Sequence, residues 1–143
     1  MKDDVSKLTK LGDHKKYDRY SNPTQEILEV FPNQYPGREY AVSYVFHEFT
    51  SRCPLTGQPD FAVITVEYIP EAFCIETKSL KLYYLAYRDE GMFMETITNK
   101  ILDDLVSVCR PRYMHVQACF NPRGGTDIII NAKYPNSLPT IGE

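Results

Sequence analysis

No run of eighteen apolar residues occurs in the chain, so a membrane-spanning helix is not expected. No C-x-x-C pair occurs among the four cysteines at 53, 74, 109 and 119. The polar opening MKDDVSKLTKLGDHKKYDRYSNP lacks the apolar core of an export signal. A reduced, cytoplasmic setting is the expectation. Excess positive charge is missing too: the formal net charge is −3, which supplies no global basic field for nucleic acid. Nor does histidine–cysteine spacing suggest a metal. His115 and Cys119 are four apart on an expected strand, roughly 13 Å along it and too far to share one ion. His14 falls in the polar opening, and no segment around Cys53 and His47 resembles a thiol protease. Repeats and low-complexity tracts are absent.

What is present is an ordinary globular composition, 43% hydrophobic and 24% charged over 143 residues, enough for one core. We expect a polar arm over residues 1–25 and a single domain over 26–143. Thr24 is placed to cap a brief helix in TQEILEVFPNQYPGREY, which prolines 32 and 36 then break. From Tyr40 the period changes to two, and Tyr40, Val42, Tyr44 and Phe46 alternate with Ala41, Ser43, Val45 and His47 as in a strand. FAVITVEYI (61–69) reads as a second strand. TKSLKLYYLAYRD (77–89) reads as a helix whose apolar face carries Leu82, Leu85 and Ala86. Phe93, Ile97, Ile101, Leu105 and Val108 then recur at helical spacing, ending at Arg110-Pro111. YMHVQACF and TDIIINAKY close the chain as two strands around the turn NPRGG. The order ββ-αα-ββ segregates strands from helices, which predicts an α+β fold: an antiparallel sheet with two helices on one face. Four strands leave two unpaired edges, a liability that oligomerisation removes.

Four places carry chemistry. Cys53, in SRCPLTGQPD, sits beside Arg52 at the mouth of a turn-rich loop, seven residues before Asp60. An exposed thiolate is a nucleophile and a returning carboxylate an acid or base, although a cysteine in an ordinary turn reads the same way. Lys78 and Lys81 share a helix face and, with Ser79 near the helix start, suit phosphates. They also suit a solvated face. Glu95 offers two adjacent acceptors that match a guanine-like edge, or it is a first-turn glutamate favoured by the helix dipole. Arg123 precedes two glycines that would let the backbone approach a ligand, or that simply turn a hairpin.

EFTSRCPLTGQPDFA, ETKSLKLYY, GMFMETITNKILDDL and PRGG, in that order and spacing, resemble the NADPH-dependent 7-cyano-7-deazaguanine reductases, the nitrile reductases of queuosine biosynthesis. The resemblance runs from about Glu26 to Tyr134, with the Cys53 loop and the E-T-K-S-L-K-L-Y segment its specific parts. It implies a tunnelling fold, whose ββααββ units close into an oligomeric barrel, commonly pentamers stacked as a decamer with sites between subunits. It implies that Cys53 attacks the nitrile and Asp60 donates the proton. Ile75, Glu76, Thr77, Met94 and Glu95 would line the substrate pocket, and Lys78, Ser79, Lys81 and Arg123 would face NADPH. The partners implied are the small-molecule nitrile and further copies of the chain, with no metal, membrane or direct nucleic-acid contact.

The implied chemistry explains the residue types. Nitriles accept hydride poorly, and a thiolate adduct, protonated at nitrogen, accepts it well. One departure stands out. The family frequently carries Phe-His-Glu where this chain has Met94 before Glu95, and a thioether packs on a base but moves no proton. Two other readings compete: an amidine-forming relative acting on nitrile-bearing tRNA, and a non-catalytic pterin- or purine-binding barrel subunit. The first needs no NADPH, so the lysines of ETKSLK argue against it. A zinc cyclohydrolase of the same fold would need ligands the chain does not offer.

Overall fold

A computed structural model describes residues 21–136. Most of the polar arm expected over 1–25, including His14, and the chain end with Pro139 lie outside the described residues. In chain order the elements are a one-turn 3-10 helix (Gln25–Ile27), β1 (Val30–Pro32), β2 (Val42–Arg52), β3 (Pro59–Ile69), β4 (Phe73–Ile75), α1 (Thr77–Leu85), α2 (Met94–Cys109), β5 (Tyr113–Arg123) and β6 (Thr126–Tyr134). The long strands form one antiparallel sheet in the order β2-β3-β5-β6, as the α+β reading expects. No helix among the described residues is long and apolar enough to cross a membrane.

Alternation decides the layers. β3 turns Asp60, Ala62, Ile64, Val66 and Tyr68 to the buried side, and β5 does the same with Met114, Val116, Ala118 and Phe120. Both helices pack on that side, α2 against β5 and β6 and α1 against β2. The other face is open, with Val45, Phe61 and Ile129 each at least half exposed. β2 changes phase part-way. Phe46 pairs with Ile64 but Phe49 with Ala62, so one extra residue at His47–Glu48 forms a bulge. Tyr44 and Phe46 face inward before it, Phe49 and Ser51 after it.

Three expectations need correction. The Thr24 cap forms, its hydroxyl accepting from the Glu26 amide, but the helix stops after one turn. Val30–Pro32 instead pairs antiparallel with β4 in a small separate ribbon, because β4 offers a partner 43 residues away that local sequence cannot reveal. Strand β2 starts at Val42, leaving the Tyr40 hydroxyl to donate to Asn33 Oδ1 at 2.6 Å. Along α1 and the turn after it the buried hydrophobic residues are Leu80, Tyr83, Tyr84, Ala86 and Tyr87, not Leu82 and Leu85. Leu82 and Leu85 are half-buried, and only Ala86 of the expected face is inside. Tyr83 and Tyr87 are accepted in the interior because their hydroxyls find partners there: Tyr83 donates to Asp104 Oδ2 at 2.6 Å and lies 2.8 Å from the Tyr87 hydroxyl. Tyr84 is held by its ring, which stacks on Phe46 and meets Phe49 edge-on. Helix α2 keeps Ile97, Ile101 and Leu105 buried as its spacing expects, while Phe93 is its exposed N-cap and Cys109 takes the last inward place.

Truncation of Leu80 to alanine is expected to cost about 2–5 kcal/mol. The same change at half-buried Leu82 should cost about 1 kcal/mol. Urea unfolding followed by circular dichroism measures both, and equal losses would contradict the tyrosine face.

Candidate active site

The loop after β2 is built to hold a thiol. The Gly57 amide donates to the Cys53 carbonyl at 3.0 Å, and the Cys53 amide donates to the Gln58 carbonyl at 2.8 Å, closing a tight turn. The α1–α2 connection braces it: the Arg52 amide donates to the Glu90 carbonyl, and the Met92 amide to the Arg52 carbonyl. Gly91 makes this approach possible, since a Cβ there would lie 3.2 Å from Pro54 Cα. The sulfur of Cys53 is half-buried, and the Thr56 hydroxyl, then the Thr56 and Leu55 amides, lie where they favour its thiolate. With a smaller pull from Arg123, these bring its pKa from 9.0 down to about 7.

Asp60 is 6% exposed, because the phase of β3 turns it inward with Ala62 and Ile64. A buried carboxylate needs a cation, and Arg123 supplies it: the guanidinium donates to Asp60 Oδ1. Gly124 and Gly125, at φ 56 and 78, make the two-residue turn that lets β5 run on to Arg123. The Cys53 thiol, and Asp60 beside it, push the arginine's pKa further up. Cys53, Asp60, Met94, Glu95 and Arg123 line one cleft of about 210 Å³. Met94 is buried there, and Glu95 is exposed in the first turn of α2.

The remaining expected site residues lie elsewhere. Ile75 is buried at the end of β4. Glu76 caps α1, its two carboxylate oxygens accepting from the Lys78 and Ser79 amides at 2.8 and 2.7 Å, which holds its pKa below the usual carboxylate value. Ser79 is buried, and its hydroxyl donates to the Glu76 carbonyl and accepts from the Glu29 amide. That hydroxyl joins β1 to α1 and is not turned towards a cofactor. Thr77, Lys78 and Lys81 are exposed, and Thr77 and Lys81 line a second cavity of about 280 Å³ against Tyr44 and Phe46 of β2. Phe46 and Cys53 are seven residues apart along extended chain, on the order of 20 Å. One chain therefore carries two separate clusters, one around Cys53 and one around the start of α1.

A family described as QueF-like protein matches residues 59–138, more than half of the chain. The chain belongs to the QueF-like family. Its QueF-like relatives include three proteins named NADPH-dependent 7-cyano-7-deazaguanine reductase. That of Nitratidesulfovibrio vulgaris strain DP4 is 50% identical over 131 residues, 92% of this chain and 79% of the relative. That of Chlorobaculum tepidum is 52% identical over 113 residues, covering 79% and 97%. That of Desulfovibrio desulfuricans is 47% identical over 138 residues, covering 96% and 83%. Among solved structures, the apo form of an archaeosine synthase QueF-Like superposes with a TM-score of 0.61 at 19% identity, over 70% of this chain and 96% of that one. At that identity the likeness concerns the fold alone.

Two features of this QueF-like site escape sequence reasoning. The influence of Thr56 on the sulfur is one that only the turn reveals. The pairing of Arg123 with Asp60 had one legible signal, since Asp60 is in phase with the buried residues of β3 and so demands a counter-charge. Alkylation of Cys53 by iodoacetamide, followed on its own peptide by mass spectrometry, should inflect near pH 7. Cys109, whose thiol burial pushes up to about 12, should stay unreactive in folded protein. Thr56→Val should return the Cys53 inflection towards 9.0, and an unchanged profile would remove Thr56 from the site.

Proposed function

We propose that the chain reduces the nitrile of 7-cyano-7-deazaguanine to the aminomethyl group, using NADPH, in queuosine biosynthesis. The observation that carries this reading is the shared cleft of Cys53, Asp60 and Glu95, in a chain about half identical to reductases of that name. Cys53 is the nucleophile. With its pKa lowered to about 7 the thiol gives up its proton readily, and Cys53 lines the cleft. The sulfur adds to the nitrile carbon, one π bond of the C≡N group breaks, and Asp60 carries the proton to nitrogen. The product is a thioimide, R–C(=NH)–S–Cys53. Glu95 accepts hydrogen bonds from the guanine-like edge and keeps the nitrile over the sulfur. Met94 packs against the ring without moving a proton.

The residues suited to NADPH are Lys78 and Lys81, exposed one turn apart, with Arg123 at the cleft; Ser79 does not fit the role, its hydroxyl being used within the fold. When bound, NADPH supplies two hydrides, one to the thioimide carbon and one to the imine carbon. Between them Cys53 leaves with its proton restored, so the same residue begins and ends as a thiol. Glu76 and Thr77 complete the pocket from a neighbouring copy, with Ile75 buried behind them.

That last assignment rests on the distance between the two clusters of one chain. A ring of copies in the tunnelling fold, pentamers stacked as a decamer, brings the start of α1 of one subunit to the Cys53 loop of the next. The open sheet face with Val45, Phe61 and Ile129, and the edges β2 and β6, each with one strand neighbour among the described residues, support such a barrel. The enzyme works in the cytoplasm as one domain over 26–143 behind a polar arm, without a metal and without direct contact to nucleic acid.

The purified chain, mixed with 7-cyano-7-deazaguanine and NADPH, should consume two NADPH for each nitrile reduced. Cys53→Ala should bind the nitrile and lose both adduct and turnover. Folded wild-type protein that oxidises no NADPH with this substrate would end the reductase reading.

A further inference from the structure

A proton donor cannot stay an arginine's salt-bridge partner. When Asp60 carries the proton it is a neutral carboxylic acid, and the charge attraction that holds it to Arg123 is gone. Its group is nevertheless buried, and a buried carboxyl without a hydrogen-bond partner is strongly disfavoured. A second partner is needed inside the fold.

Ser51 has the right place for it. It lies directly across from Asp60 in the β2–β3 pairing, two residues before Cys53. Cross-strand partners of this kind hold their Cβ atoms about 5 Å apart, within reach of a short hydroxyl and a carboxyl. Both side chains point to the same buried face: Ser51 is 0% exposed and Asp60 6%. The bulge at His47–Glu48 is what turns Ser51 inward, since with the earlier phase of β2 it would face outward. The Ser51 hydroxyl is buried and, like that of Tyr84 away from the cleft, has no hydrogen-bond partner among the described residues. Such groups are rare and destabilising, and one beside a reacting pair calls for a role.

We propose that Ser51 is a positioning residue, whose hydroxyl takes the carboxyl of Asp60 when Asp60 parts from Arg123 to deliver its proton. The hydroxyl donates to the carbonyl oxygen of the acid, which leaves the acid's own O–H directed at the nitrile nitrogen. In the resting protein Asp60 belongs to Arg123, and the Ser51 hydroxyl has no partner among the described residues. During thioimide formation the sulfur–carbon bond forms, one carbon–nitrogen π bond breaks, and the proton of the Cys53 thiol reaches nitrogen through Asp60. No oxidant or reductant enters this step. The charged or titratable groups lining the cleft are Cys53, Asp60, Glu95 and Arg123. The inference rests on the reductase reading above.

The test is Ser51→Ala in the full chain, with three measurements. Its thermal midpoint should equal or exceed wild type, because an unsatisfied buried hydroxyl has been removed. Nitrile affinity, measured by calorimetry in the Cys53→Ala background, should change by less than twofold. Thioimide formation without NADPH, followed by stopped-flow absorbance and intact mass, should slow at least tenfold, with a displaced pH profile. In the Asp60→Asn background the serine change should add no further slowing. A lower midpoint or a failure to fold would make the hydroxyl structural and overturn the proposal, as would a wild-type rate of adduct formation. Equal slowing with and without the Asp60 carboxyl would show that Ser51 does not act through it. Wild-type protein that forms no adduct takes down the reductase reading itself, whereas wild-type adduct formation with an unaffected Ser51→Ala variant takes down this inference alone.

Discussion

A carboxylate stays buried only where something answers its charge, and Asp60 has Arg123. That contact ties the far end of β5 to the start of β3, and Arg123 shares the cleft with Cys53, whose thiolate it favours. The nucleophile, the acid and the cation between them come from three separate parts of the chain: the loop after β2, the second residue of β3, and the last residue of β5. Removing the arginine would leave an uncompensated charge at the edge of the core. The double-glycine turn, the run of β5 up to Arg123, and the inward phase of β3 are the conditions for this single contact.

The helices do the complementary work. Helix α2 starts at the cleft and presents Glu95 from its first turn, while its Ile97, Ile101 and Leu105 anchor it on the sheet. A side chain at a helix start is held by everything that packs the helix. Helix α1 is fixed differently, by the Glu76 cap and by the Ser79 hydroxyl that reaches back to the Glu29 amide. Its exposed lysines therefore point from a rigid base, at the opposite end of β2 from the thiol. The separation of the two clusters is a consequence of strand length, because β2 has eleven residues and the clusters sit at its two ends.

Much of this was legible beforehand. The strands FAVITVEYI and TDIIINAKY, the 4-4-4 spacing in α2 and the stop at Arg110 are local signals, and the structure follows them. The tyrosine face of α1 was not legible, because Leu outranks Tyr on hydropathy, and it takes distant partners to make the interior acceptable: Asp104 for the Tyr83 hydroxyl, and the rings of Phe46 and Phe49 for Tyr84. The small β1–β4 ribbon was missed for a related reason: three-residue strands have no periodicity of their own and exist through their partner. At the site, Cys53 and Asp60 stand out by residue type and spacing. Thr56 and Ser51 do not, since threonine and serine near a turn are commonplace until their hydroxyls can be followed.

By itself the sequence determined the order of elements, the two-sided character of β3 and β5, and the residues able to do the chemistry, because periodicity and residue type are properties of neighbours along the chain. Only the tertiary structure decided which of those residues meet. It put Arg123 on Asp60 rather than leaving it in an outlying turn, spent Glu76 and Ser79 on the start of α1, and shifted β2 by one residue so that Ser51 faces Asp60. The reason is physical: burial of charge and satisfaction of hydrogen bonds are settled between segments far apart in sequence, and no local pattern records their outcome.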